Sequence, residues 1–179
     1  MSKSSRLQVA VSSVFPANIL ARLSSDSRLE VSVLEKELSL VRSLDQTQLL
    51  LIRSQTRVDE ELLERLPDLK ALITMTSGFD HIDLRACQRR SVWVSYTPDA
   101  NVVSAAELAV QFMLNIFRGM PKAQQNVSEG NWRLGVSRTH ELSQKRIGLI
   151  GFGRIGQRVS QLLQAFGCKV SAHDPFVDP

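Results

Sequence analysis

The segment Gly151-Phe152-Gly153-Arg154-Ile155-Gly156 constrains the fold of this chain more than any other. The apolar run Arg146–Ile150 leads into it and reads as a strand. Arg154–Phe166 leaves it and reads as a helix, with Ile155, Val159, Leu162, Leu163 and Phe166 recurring on one face. A second short strand, Lys169–Ala172, follows, and Asp174 stands eighteen positions after Gly156. Each part of that spacing has a physical reason. Gly151 permits a tight turn, Gly153 lets the backbone come close to a pyrophosphate, and Gly156 lets helix and strand pack closely. Backbone N–H groups at Arg154 and Ile155, at the positive end of the helix dipole, then receive the diphosphate, with the Arg154 guanidinium secondary to them. Asp174 is placed to accept hydrogen bonds from ribose hydroxyls, and its charge disfavours a 2′-phosphate, so NAD is expected rather than NADP. Three glycines alone are a weak signal; strand, turn, helix and terminal acid in this order are a dinucleotide-binding one.

Upstream, the same alternation repeats. Strands are expected at Leu7–Val11, Leu29–Leu34, Gln48–Arg53, Leu69–Thr74 and Val92–Tyr96. Helices are expected at Ala17–Leu23, Asp59–Leu66 and Ile82–Arg90, with Lys36–Leu44 ambiguous. Strands alternating with helices of this length imply βαβ units and a parallel sheet, so the fold class is α/β. From Ser104 to Arg118 the chain is apolar on more than one side, and Ser104 with Glu107 has capping-box spacing, so a helix is expected to start there. A helix of that kind needs two packing partners: it is either a central core helix or a connector and subunit contact. Residues 120–142 contain Pro121, Gly130 and Gly135 without a clear period and read as a helix tail followed by an irregular arm.

Composition narrows the function. The 22 Lys and Arg against 18 Asp and Glu give +4, but the basic residues are scattered, without the basic stripe and interleaved aromatics of a nucleic-acid reader. The longest uninterrupted aliphatic run, Leu49–Ile52, is far too short for a membrane span. Cys87 and Cys168 lie apart, without a Cys-x-x-Cys or Cys/His cluster, and read as buried thiols of a reduced cytoplasm rather than a metal site.

Several motifs in order carry a family resemblance: Arg53-Ser54-Gln55-Thr56, Ser77-Gly78-Phe79-Asp80-His81-Ile82-Asp83, Thr97-Pro98, Asn101, Ser104-Ala105-Ala106-Glu107, Gly130-Asn131-Trp132 and the glycine turn itself. From about Leu49 onward the chain resembles the D-isomer-specific 2-hydroxyacid dehydrogenases, and within them the members that oxidise 3-phosphoglycerate for serine biosynthesis. The resemblance implies a flavodoxin-like substrate domain over residues 1–100. It also implies a connector helix and an incomplete Rossmann-type NAD-binding domain, with its first β-α-β unit, over residues 101–179. It implies a small 2-hydroxy or 2-oxo acid as substrate, bound by Arg53, Ser54, Ser77, Gly78 and Asn101. Ser77 also approaches the nicotinamide, and Gly151, Gly153, Arg154, Ile155, Gly156 and Asp174 hold the NAD. A guanidinium such as that of Arg53 suits a carboxylate or phosphate. The Ser104–Arg118 helix and the arm carrying Trp132 would pack against a second subunit.

Two positions depart from the family pattern. Thr76 stands where the loop commonly has glycine, which is expected to restrict positive φ and reshape it. His81 stands where phosphoglycerate-type members have asparagine and some glyoxylate and hydroxypyruvate reductases have histidine. Hydride transfer to a 2-oxo acid needs a cation that polarises the carbonyl and a general acid. The resemblance places those roles on an Arg and a Glu-supported His beyond Pro179, so no catalytic residue is assigned to this chain. His81, His140 and His173 read as structural, and the chain is expected to be an inactive N-terminal portion that associates through exposed apolar surface. Glyoxylate or hydroxypyruvate reduction and a non-catalytic NAD-binding scaffold resembling a co-repressor are the alternatives.

Overall fold

The computed structural model describes residues 6–12, 15–34, 44–132 and 138–177. The chain divides into two compact units, Met1–Pro98 and Asp99–Pro179. The ambiguous helical candidate Lys36–Leu44 lies, but for Leu44, outside the described residues, as does the stretch 133–137 of the expected arm.

In the first unit, β1 (Leu7–Ser12), β2 (Leu29–Leu34), β3 (Leu49–Ile52), β4 (Ala71–Thr74) and β5 (Trp93–Tyr96) form one sheet in the order β2-β1-β3-β4-β5, every pair parallel. That is the flavodoxin-like order, and its direction of winding reverses between β1 and β3. Parallel sheets bury both faces, which is why Leu49–Ile52 is apolar throughout rather than alternating. One face carries Val9, Val11 and Leu51 against Phe15 and helix α1 (Ala17–Ser25). The other carries Ala10, Leu50, Ile52 and Leu72 against α2 (Glu60–Glu64) and α3 (Leu84–Arg89), through Leu62, Leu63, Ala86 and Cys87. Both short helices are fixed at their starts by carboxylates: Asp59 accepts from the Leu62 N–H at 3.1 Å and Asp83 from the Ala86 N–H at 2.9 Å.

The second unit comprises α4 (Val102–Arg118), α5 (Met120–Ser128), β6 (Arg146–Ile150), α6 (Arg154–Ala165) and β7 (Lys169–His173). Strands β6 and β7 pair in parallel from Arg146↔Lys169 to Ile150↔His173, so β6-α6-β7 is one βαβ unit. Its core joins Ala106 and Val110 of α4 to Val159 and Leu163 of α6, with Leu142 and Cys168.

Three sequence expectations are corrected. Helix α4 begins at Val102, two residues before Ser104, and no side chain caps it; the Ser104 hydroxyl donates instead to the Asn101 carbonyl at 3.1 Å. The capping box fails because Asn101 is already the cap position and the Ala105 N–H bonds its carbonyl. The segment after α4 is not a tail but a separate helix: Gly119, at φ 58°, ends α4 in the left-handed region and starts α5. On α6 only the middle of the expected apolar face is buried, because Ile155 and Phe166 at its ends are 41% and 43% exposed.

Candidate functional site

The first set of candidate residues sits at the carboxyl ends of β3 and β4. Ile52 leads into the turn Arg53–Thr56, closed by the Thr56 N–H to the Arg53 carbonyl at 3.1 Å. The buried Thr56 hydroxyl hydrogen-bonds Ser12, the last residue of β1, at 3.0 Å. The turn carrying exposed Arg53 and Ser54 is therefore tied across the β1/β3 reversal, the place where open α/β sheets bind ligands.

From β4 the ladder continues past the strand end: the Met75 N–H bonds the Ile52 carbonyl at 2.9 Å and the Thr97 N–H bonds the Thr76 carbonyl at 3.1 Å. Exposed Ser77 and Gly78 follow, and Phe79 packs edge-on against Tyr96 at 5.1 Å. Thr76 is not strained, since among described non-glycine residues only Ser91 and Gln144 have positive φ. The expected cost of a Cβ there does not arise; its hydroxyl instead bonds the Gly78 carbonyl at 2.7 Å. Asn101, in the second unit, is exposed at the start of α4, and its side chain takes no part in capping.

The second set is the glycine turn. Gly151 has φ 94°, a conformation that side chains resist, and its N–H extends the β6–β7 pairing to the His173 carbonyl at 2.8 Å. A Cβ on Gly156 would collide with the Gly151 carbonyl oxygen, so the close approach of α6 to the end of β6 requires glycine. Gly153 behaves differently: a Cβ there would meet nothing within 4 Å, so the space over it is open. Helix α6 starts at Gly153 with no side-chain cap and no acid in its first turn. The N–H groups of Arg154 and Ile155 thus have no intrahelical acceptor, the arrangement by which helix starts receive anions in general. The Arg154 guanidinium is turned to Asp99, with Nε 2.9 Å from Oδ1.

Asp174 lies just beyond β7, and its carboxylate grips the turn. Oδ2 accepts the Phe152 N–H at 2.6 Å and Oδ1 the Phe176 N–H at 2.9 Å. The Phe152 N–H first, and then the Phe176 N–H, hold this carboxyl below its ordinary range, so it is an anion at neutral pH. Each oxygen keeps a further lone pair for a hydroxyl donor. Sequence reasoning missed this latch. Its signal was present in Asp174-Pro175-Phe176, since an aspartate accepting from the N–H two residues on is an Asx-turn. Sequence reasoning also missed the role of His81, whose Nε2 is 3.0 Å from the buried Thr74 hydroxyl.

Among the described residues no group of three His, Cys, Asp or Glu is placed to hold a metal ion, and no helix is long and apolar enough to cross a membrane.

Residues 9–166 match the family model described as D-isomer specific 2-hydroxyacid dehydrogenase, catalytic domain. D-3-phosphoglycerate dehydrogenase of Mycobacterium tuberculosis is 38% identical over 140 residues, covering 78% of this chain and 26% of that protein. Hydroxypyruvate reductase of Thermotoga maritima is 34% identical over 172 residues, covering 95% of this chain and 56% of that one. D-lactate dehydrogenase of Aquifex aeolicus, solved in complex with NAD and lactic acid, superposes with a TM-score of 0.85 at 28% identity, over 95% of this chain and 52% of that one. The chain thus spans between about a quarter and a little over half the length of these relatives.

Proposed function

The chain belongs to the D-isomer-specific 2-hydroxyacid dehydrogenase family, and from that membership we propose that it binds NAD at the glycine turn and a 2-oxo or 2-hydroxy acid at the β3 and β4 strand ends. The observation that carries this reading is the partition within the glycine turn. Gly156 is filled to contact by the backbone of Gly151, whereas the space over Gly153, before the uncapped start of α6, is open. Bound NAD supplies the hydride acceptor, and NADH the donor. The chain's part is to hold the pyrophosphate on the Arg154 and Ile155 N–H groups and the ribose on Asp174. Arg53, Ser54 and the Ser77–Gly78 backbone then take the acid's carboxylate, with Asn101 and Ser77 as further contacts to substrate and nicotinamide.

The preferred acid is 3-phosphoglycerate with its oxo form, as in serine biosynthesis, supported by the 38% identity to D-3-phosphoglycerate dehydrogenase. Hydroxypyruvate is the second reading, supported by His81 and by the reductase relative matched over 95% of the chain. Amide NMR of Ser77 and Gly78 during titration with 3-phosphohydroxypyruvate, hydroxypyruvate and glyoxylate tests the site. The phosphorylated acid is expected to act at the lowest concentration, and Arg53→Gln is expected to weaken it about tenfold or more, the worth of a charge-assisted hydrogen bond. If none of the three acids moves those amides, the substrate site is wrong. Turnover by the 179-residue chain alone is not expected. Among the described residues no histidine hydrogen-bonds a carboxylate, and His81 directs Nε2 to Thr74.

The buried free thiols of Cys87 and Cys168 fit a cytoplasmic protein. A homodimer through α4 is part of the same proposal. Leu108, Phe112 and Ile116, four residues apart, are 47%, 57% and 78% exposed on the side of α4 away from buried Ala106 and Val110. Sedimentation velocity is expected to show a dimer that Phe112→Glu dissociates; a monomer of the unsubstituted chain at tens of micromolar, roughly a hundredfold or more above the dissociation constant of a stable interface, contradicts it.

A further inference from the structure

The loop after β4 is held by a chain of hydrogen bonds whose direction can be worked out from proton counting. Thr76 Oγ1 lies 2.7 Å from the Gly78 carbonyl and 2.6 Å from Thr74 Oγ1, and Thr74 Oγ1 lies 3.0 Å from His81 Nε2. A hydroxyl has one proton and a carbonyl only accepts. The Thr76 proton is therefore committed to Gly78, so Thr76 accepts from Thr74. With its own proton spent, Thr74 accepts from His81, which must carry a proton on Nε2. Two links of the chain, Thr74 and His81, are fixed to the scaffold. Thr74 is fully buried between Ile52 of β3 and Tyr96 of β5. The His81 backbone accepts the Val58 N–H at 2.8 Å, and the next residue, Ile82, bonds back to the Phe79 carbonyl at 2.9 Å.

We propose that His81, Thr74 and Thr76 are positioning residues, whose directed hydrogen-bond chain sets the Gly78–Phe79 peptide plane and thereby the carboxylate-gripping loop. With the Gly78 carbonyl held toward Thr76, the Phe79 N–H points the opposite way across the trans peptide, as a donor for a ligand carboxylate. Thr76 and His81, five positions apart, act together in this arrangement through Thr74. The inference rests on the reading of this loop as the acid-binding one.

The test uses the 179-residue chain and four single variants. Thr76→Val and His81→Phe remove links; Thr76→Ser and His81→Gln keep a hydroxyl and a side-chain donor of similar reach. Hydrogen exchange of the Ile82 amide, which donates to the Phe79 carbonyl at 2.9 Å, is expected to speed up about tenfold in ligand-free protein in each link-removing variant, the factor that one buried hydrogen bond carries. The double variant Thr76→Val/His81→Phe should exchange no faster than the faster single, because both cut one chain. The conservative variants should restore slow exchange, and nitrogen-15 NMR should find the His81 proton on Nε2. Additive effects, unchanged exchange, failed rescue or a bare Nε2 would overturn the proposal. Oxalate, a dicarboxylate probe, separates the two readings. If it fails to shift the Phe79 amide in unsubstituted protein, the acid-binding reading falls while the exchange data still decide the hydrogen-bond chain.

Discussion

Gly156→Ala is expected to disrupt the second unit, whereas Gly153→Ala, three residues earlier in the same motif, is expected to leave it folded. At Gly156 the added Cβ runs into the Gly151 carbonyl oxygen, which is backbone and cannot swing aside. Gly151 is held in turn by its φ of 94° and by the 2.8 Å bond from its N–H to His173. The strain is relieved only if α6 moves off β6, and that separates Val159 and Leu163 from Ala106, Val110 and Leu142. The expected cost is on the order of 3 kcal/mol, the upper end of what overpacking a close contact costs. At Gly153 a Cβ meets no atom within 4 Å, and the backbone, at φ −70° and ψ −165°, is one that alanine adopts freely. Gly153→Ala should therefore melt like the unsubstituted chain and lose NAD affinity, because its methyl group occupies the space proposed for the pyrophosphate. Thermal unfolding followed by circular dichroism, with NAD titration of each variant, checks both. A Gly156→Ala chain of unchanged melting temperature, or a Gly153→Ala chain of unchanged affinity, contradicts the account of the turn.

Much of this was legible because the signals are local. Apolar runs bounded by turn residues placed β6 and β7 to within a residue, and the glycine spacing located the turn, since one short segment determines both. The flavodoxin-like order of the first sheet follows no local rule; it was carried by the family motifs and is borne out by the strand order. The start of α4 was misplaced because Ser104 and Glu107 fit a capping box on paper, while Asn101, at φ −116° and ψ 6°, already occupies the cap position. The bond between Thr74 and His81 was invisible for a different reason. It spans seven positions and forms only once the Val58–Ile82 bridge has brought the loop back over the end of β4. The Asp174 latch spans twenty-two positions and exists only when β7 pairs beside β6.

Asp174→Ala removes that latch and the proposed ribose acceptor together, and its expected effect on binding is the largest of any single side chain in the turn. The carboxylate is held anionic by the Phe152 and Phe176 N–H groups, which leaves their donors without a partner when it is gone. NAD affinity is expected to fall about ten- to hundredfold, the range for hydrogen bonds to a charged group. Because the folded carboxyl titrates below its usual 3.8, the latch is complete above that value and is lost as pH falls through the lower, folded one. Its contribution is therefore constant across the neutral range, and binding measured between pH 6 and 8 should show no titration from this group.

Calorimetric titration of NAD and NADP into the unsubstituted chain tests the central claim most directly. The expected result is saturable NAD binding at one site per chain, with NADP at least about tenfold weaker because Asp174 meets its 2′-phosphate with like charge. Absence of NAD binding by a folded chain, or equal affinity for the two dinucleotides, would contradict it.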